Sequence, residues 1–299
     1  MSVDFRRQVK ARAMEYGVPI QIVRESTLVS DDSESDRGLT PLSDRAWNLS
    51  TALYYKAGGK PWKLAAARDG VCYLGIAFRK TTDDPRGRSA CCAAQMFLDS
   101  GDGIVFLGEY GPWYSPERKQ FHLDRKSARK LMKGVLETYC ELEGKPLKEI
   151  FIHSRSGVDT DEFQGYQEAS GQGASVIGIR VRPDFDVKIF REGSRVVLRG
   201  SFWQLDQRKG YLWAAGFKPH LSTYDGWEIP NPLRVEIQQG NADISLVVKD
   251  ILALTKLNYN SCKLGDSEPV TVRFSDAVGE ILVSNPGVTD RSPNFKFYI

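Results

Sequence analysis

Arg6 and Lys10 lie four residues apart in the stretch DFRRQVKARAMEY, residues 4–16. Phe5, Val9, Ala13 and Tyr16 recur there at helical spacing, which predicts an amphipathic helix with those four inward and the bases on the exposed side. Positions i and i+4 share a helix face, so two cations can converge on one anion such as a phosphate. Taken alone, such a face is more often simply solvated. A second run, Trp113 to Lys130, carries Arg118, Lys119, Arg125, Lys126, Arg129 and Lys130 among aromatic residues. It could track a nucleic-acid backbone, with about half of it a plain solvated helix face. Metal and nucleophile chemistry find less support. Cys72, Cys91, Cys92, Cys140 and Cys262 form no CxxC pair and lie mostly in apolar runs, as reduced core thiols of a cytosolic protein do, which speaks against a zinc site. His122, His153 and His220 are isolated, and His153 reads as a strand-end core residue rather than a base. Asp159, Asp161 and Glu162 open a helical stretch and read as caps and dipole partners.

The elements that must position these residues are organised around VCYLGIAFRK, residues 71–80, which is apolar almost throughout to Phe78, as a strand buried on both faces of a central sheet is. Before it, Gly17 ends the first helix, Pro19 to Arg24 alternates as a short strand, and Ser30 to Pro41 is a polar loop. Ser43 can cap a helix from Asp44 to about Lys56, with Trp47, Leu53 and Tyr54 inward and Gly58-Gly59 stopping it. After the central strand, Ala90–Leu98 and Ile104–Tyr110 complete an antiparallel meander joined at the turn 99–103. A helix from Asp124 to about Glu143, with Leu131, Val135, Tyr139 and Leu142 inside, leads to a strand Glu149–His153. A helix Thr160–Ala169 then leads to a strand Val176–Val181. From Phe185 the chain is strand-rich, with turns at Glu192-Gly193 and Lys209-Gly210, up to a strand Arg234–Ile237 entered through Asn231-Pro232-Leu233. Helices Ile244–Leu254 and about Val270–Leu282 follow, and the aromatic terminus Phe295–Ile299 is expected to be docked rather than free in solvent.

The chain of 299 residues, 41% hydrophobic, is long enough for one large domain and part of another. A formal net charge of +3 is too mild to identify a polyanionic partner; what matters is where the positive charge sits. No stretch approaches eighteen apolar residues and the first thirty lack a signal-peptide core, so the expected location is the cytoplasm, with no membrane partner.

Several segments taken in order resemble the PIWI domain of short prokaryotic Argonautes, preceded by the end of their MID domain. They are Pro19-Ile20-Gln21, Lys56 with Gly58-Gly59-Lys60-Pro61-Trp62, Phe151-Ile152-His153, Asn231-Pro232-Leu233, Leu254 to Asn260, Pro269-Val270-Thr271, Gly279-Glu280-Ile281-Leu282 and Tyr298-Ile299. The resemblance implies an α/β fold: an RNase H-like PIWI domain over residues 58–299, preceded over 1–57 by the C-terminal part of a Rossmann-like MID domain. It implies a pocket for the 5′-phosphate of a guide RNA or DNA formed by Arg6, Lys10, Gln21 and Lys56, with guide-backbone contacts at Lys256, Asn258 and Asn260. In related proteins the C-terminal carboxylate, here Ile299, holds a divalent ion such as Mg²⁺ against that phosphate.

Departures from the family pattern shape the expected function. An active member carries three acids and a fourth ligand for catalytic metal. The first position matches Ala77, the third Ser156 and the fourth Asp276, while Glu109 is a candidate for the second. Hard-cation catalysis needs several anionic oxygens, so the expected chain binds a guide and its complementary target, most simply DNA, without cutting. The resemblance further implies a defence system in which an APAZ-containing effector, with a TIR, sirtuin-like or nuclease domain, responds to target pairing. An active nuclease with displaced ligands and a scaffold for protein contacts are the alternatives. The family's MID domain also has strand-helix units ahead of the basic helix, where this chain begins, so either a fragment or a gene lacking that half is expected, with a partly open pocket.

Overall fold

The computed structural model describes residues 3–28, 41–64, 68–79, 90–97, 103–117, 119–259, 265–284 and 294–298. Of Cys91, Cys92, Glu109 and Asp276 it describes only the backbone. The loop expected up to Pro41, the turn expected at 99–103, Arg118, Asn260, Cys262 and Ile299 lie wholly or mostly outside these residues.

The apolar run that reads as a central strand is one. Strand β1 (Val71–Arg79) pairs antiparallel with β2 (Ala90–Phe97) and parallel with β6 (Glu149–Ser154). Together with β3 (Gly103–Gly111), β7 (Ser175–Pro183), β8 (Phe202–Gln204), β9 (Lys209–Leu212) and β10 (Leu233–Gln239) it forms a mixed sheet of order β3-β2-β1-β6-β7-β10-β9-β8. A two-stranded hairpin, β4 (Tyr114–Ser115) with β5 (Gln120–Phe121), stands apart, and nothing in the sequence pattern announced it.

Both faces of the sheet are covered, as parallel pairing at its centre requires. On one face Cys72, Leu74 and Ile76 of β1 pack with Leu131, Met132, Val135 and Tyr139 of α4 (Arg125–Glu143) and with Phe163 and Tyr166 of α5 (Thr160–Ser170). Asp124 and Asp159 cap these helices, accepting from Ser127 N at 2.7 Å and Asp161 N at 3.0 Å, which is the role expected of acids opening a helix. On the other face Val71 and Tyr73 join Val247, Val248 and Ile251 of α6 (Ile244–Leu254) and Val272, Val278 and Ile281 of α7 (Val270–Ser284). The β1–α7 approach is so close that a Cβ at Gly75 would lie 1.9 Å from the Thr271 carbonyl oxygen. Only glycine fits there.

The N-terminal segment adds to this second layer without a strand of its own. Helix α1 (Val3–Glu15) and helix α3 (Leu42–Lys56) contribute Ala11, Met14 and Tyr55 to the core that the sheet shares with α6 and α7. Between them, α2 (Glu25–Leu28) is a single turn, and residues 19–24, expected as a strand, run without regular structure. Alternation alone makes no strand, and no described strand pairs with this segment.

Four further expectations change. The inward stripe on α1 is Lys10, Ala11 and Met14, while Phe5 and Tyr16 are exposed, so the helix is rotated relative to its apolar pattern. On α3, Trp47, Leu53 and Tyr54 are exposed and Arg45, Ala52, Tyr55 and Lys56 are buried; the helix starts at Leu42 with Pro41, not Ser43, at its N-cap. Leu142 of α4 and Cys140 are exposed as well. Lys209-Gly210 is not a turn but the start of β9, the reversal falling at 205–208, where Arg208 N donates to Asp206 Oδ1 at 2.7 Å. No described helix is long and apolar enough to cross a membrane.

Candidate nucleic-acid interface

Lys10 and Lys56 reach the same place from different helices. Both are about 4% exposed, and both point at the docked C-terminal segment: Lys10 Nζ donates to the Tyr298 carbonyl at 3.3 Å and Lys56 Nζ to the Lys296 carbonyl at 3.2 Å. A short 3₁₀ turn at Phe295–Phe297 holds those carbonyls, and Phe295, Phe297 and Tyr298 are buried, as an apolar terminus predicts. Phe295 packs edge-on against Phe97, Phe274 and Tyr55, which fixes the tail to the sheet, α7 and α3 together.

Electrostatics set these two lysines apart from the other bases of the chain. Burial, then the positive charges of Lys56 and Arg6, lower the Lys10 pKa to about 7. Burial and then Arg6 lower that of Lys56 to about 8. Two desolvated lysines beside an exposed arginine are held near one another against their mutual repulsion, an arrangement that a bound anion would relieve. Gln21, half-buried in the irregular segment after α1, completes the sequence-derived set; among the described contacts none joins its side chain to the lysines. The cluster therefore has Arg6, Lys10 and Lys56 as its core.

The donor set fits an anion rather than a bare metal ion. Among the described residues no three His, Cys, Asp or Glu side chains lie together so as to hold a metal. The side chains that bond the tail's carbonyls are Lys10 and Lys56, both cations, so a divalent ion beside them would have to draw oxygens from the Ile299 carboxylate, outside the described residues, and from a phosphate bound with it.

The connection between α6 and α7 borders the same site. Tyr259 packs against Tyr55 with ring centroids 4.7 Å apart and the rings tilted by 41°, and its hydroxyl donates to the Trp62 carbonyl at 2.8 Å. Trp62 Nε1 in turn donates to the Lys256 carbonyl at 2.8 Å, leaving the Lys256 side chain exposed. Asn258 is different: it is buried, and its amide donates to Asp266 Oδ2 at 2.8 Å, so it braces the loop from within.

The first and third positions matched to catalytic acids lie together at the C-terminal ends of the central strands β1 and β6. Ile76 pairs with Ser154, so Ala77 and Ser156 lie one and two residues beyond the last β1–β6 pair, and α7, which carries Asp276, crosses β1 on the face of Ala77. Neither Ala77 nor Ser156 offers an anionic oxygen. Glu162 is buried, its carboxyl accepts from the Tyr166 hydroxyl at 2.7 Å, and burial raises its pKa to about 7, while Asp159 is engaged as a cap. His153 is buried against Thr271, Nδ1 to Oγ1 2.9 Å, and burial lowers its pKa to about 3: a core residue, as its place in the sequence suggests. In the basic run, Arg125 pairs with Glu168, and Lys126, Arg129 and Lys130 lie on the solvated face of α4.

This mixed α/β sheet with its helical layers matches the PIWI-like domain structures of Argonautes, and the sequence agrees. No family model matches the chain. It is 22% identical over 284 residues to the protein argonaute of Aquifex aeolicus, covering 92% of this chain and 35% of that one. In structure it is similar to Clostridium butyricum Argonaute bound to a guide DNA and a 19-mer target DNA, with a TM-score of 0.72 at 20% identity, over 97% of this chain and 37% of that chain. It is also similar to A. aeolicus Argonaute, with a TM-score of 0.67 at 19% identity, over 98% and 39% of the two chains. The resemblance read in the sequence thus stands as homology to Argonaute and as the Argonaute fold, and the chain spans little more than a third of the length of these relatives.

Proposed function

We propose that the chain binds a guide strand by its 5′-phosphate at Arg6, Lys10 and Lys56 and presents it for pairing with a complementary target, without cutting that target. The observation that carries this reading is the pair of buried lysines with depressed pKa values facing the docked tail. Such an arrangement is costly for a free protein and is relieved by a dianion. Gln21 would add a neutral hydrogen bond, and exposed Lys256, with Asn260, would meet the following backbone. Mg²⁺ in this reading enters only with the phosphate, against the Ile299 carboxylate. The similarity to an Argonaute bound to guide and target DNA supports a nucleic-acid partner. Ala77 and Ser156 support the absence of cleavage, since a hard cation needs anionic oxygens at those positions. A separate APAZ-containing effector in a cytoplasmic defence system would then convert target pairing into an output.

The deciding experiment compares strands of one sequence carrying a 5′-phosphate or a 5′-hydroxyl. Lys10→Met and Lys56→Met should each weaken the phosphorylated strand roughly 10- to 100-fold, the loss of one charge-assisted hydrogen bond, with far less effect on the hydroxyl strand. Equal losses for both strands would remove the pocket assignment.

A further inference from the structure

Helix α3 turns its charge inward and its apolar side chains outward. Arg45 and Lys56 are buried, while Trp47, Leu53 and Tyr54 are between 49% and 56% exposed, and Asp44 is the only charged residue at the exposed positions of the helix. A solvated helix face is normally rich in charge, so an aromatic face of this kind is made to be covered. Nothing among the described residues covers it. It is also preset: a Cβ at Gly59 would come within 2.3 Å of Tyr54 Cζ, so the ring lies over that glycine and is held before anything binds. Trp47 and Lys56 are roughly two and a half helical turns apart, which puts this face on the opposite side of α3 from the lysine that meets the tail.

The face is complementary to itself. Its members in order are Asp44, Trp47, Ser50, Leu53, Tyr54 and Ala57, with exposed Gly58 and Lys60 just beyond. When two such helices cross antiparallel about an axis close to Leu53, bulky residues fall opposite small ones. Trp47 of one copy meets Ala57 and Gly58 of the other, Tyr54 meets Ser50, and Leu53 meets its own equivalent. The same register brings Asp44 of each copy to Lys60 of the other and opposes the two helix dipoles. Gly58 and Gly59 also line, with Leu142 of α4, a cavity of about 320 Å³ at the end of α3, and the register sets the indole of the second copy at its mouth. A parallel crossing would instead set Trp47 on Trp47 and Asp44 on Asp44.

We infer that the outer face of α3 is a two-fold homodimer surface, occupied by the same face of a second copy of this chain packed antiparallel. The inference does not rest on the strand-binding reading. A face one helix wide belongs to the small end of specific interfaces, so the dimer is reversible, with a dissociation constant on the order of micromolar.

Sedimentation equilibrium of the full chain, free of nucleic acid, from about 1 to about 200 μM should show a monomer–dimer equilibrium. Trp47→Glu, which sets an unpaired charge in the contact, should weaken the dimer about 30-fold or more. Charge reversal tests the register. Asp44→Lys and Lys60→Glu should each weaken self-association roughly three- to tenfold, whereas an equimolar mixture of the two variants should dimerise as the parent does, because the mixed pair again sets opposite charges together at both ends. A chain that stays monomeric throughout this range overturns the inference and leaves the face to a different protein. A dimer that Trp47→Glu leaves intact, or a mixture that associates no better than either variant alone, overturns it as well. The Trp47→Glu chain should bind a 5′-phosphorylated strand within about twofold of the parent, since an exposed charge across the helix is screened from the lysines. Failure of the strand-binding reading and failure of the dimer are therefore read separately.

Discussion

At the scale of single residues, the site is defined by where charge is buried rather than by how much the chain carries. Lys10 illustrates the consequence. Its folded pKa of about 7 lies below the ordinary lysine value of 10.5, so between those values the unfolded chain binds more protons than the folded one. Stability of the free protein should therefore rise with pH across that window. Lys10→Met removes this dependence, and the variant should be more stable than the parent below pH 7, the advantage shrinking towards pH 10; thermal unfolding at a series of pH values measures it. Binding shows the opposite trend. A phosphate favours the charged lysine, so affinity for a 5′-phosphorylated strand should fall as pH rises through 7 to 9, with proton uptake on binding seen as a buffer-dependent enthalpy in calorimetry. Affinity independent of pH over that range would remove Lys10 from the site.

At the scale of elements, the lysine cluster is an assembly of α1, α3 and the docked tail, each held by packing remote from the two ammonium groups. Arg45 of α3 donates to the Thr27 carbonyl at 3.2 Å, and Arg7 of α1 pairs with Glu280 of α7 at 2.7 Å. The β1–α7 contact underlies this arrangement, because α7 carries α1 on its outer side. Gly75→Ala places a methyl group against the Thr271 backbone and should destabilise the chain by about 1–3 kcal/mol, the usual cost of overpacking a dense core, read as a lowered Tm. A variant as stable as the parent would show that α7 is not seated as closely as the geometry requires. Removing residues 296–299 takes away both carbonyls that receive the lysines, and should abolish discrimination between 5′-phosphate and 5′-hydroxyl strands.

For the whole molecule, binding and output are separable. In the proposed reading a loaded chain leaves a complementary target intact in Mg²⁺ or Mn²⁺; divalent-dependent cleavage at one fixed position, lost in Asp276→Ala, would restore the nuclease alternative. A guide–target duplex is a long polyanion, and in this reading the Lys10–Lys56 cluster would cover only part of it. Co-expression with a candidate effector should accordingly give a stable heterodimer whose activity rises on target pairing. A monomer whose target leaves the neighbour's activity unchanged would favour a pure binding or scaffold role.

The apolar run at 71–80, the α6 and α4 periodicities and the order of motifs along the chain were enough to establish the class of fold, because buried strands and long amphipathic helices leave their spacing in the residues themselves. Arg6, Lys10 and Lys56 were singled out by family resemblance instead, and the structure brings Lys10 and Lys56 to neighbouring carbonyls of the docked tail. What the pattern misjudged was orientation. Hydrophobic spacing turned α1 and α3 with Phe5, Trp47, Leu53 and Tyr54 inward, whereas both helices bury Lys10 and Lys56 instead. A helix can turn polar residues to the interior, and periodicity has no means of telling that interior from solvent. Lys10 and Lys56 come from helices far apart in the chain, and only the folding of α1, α3 and the C-terminal tail against one another brings their charges to one place.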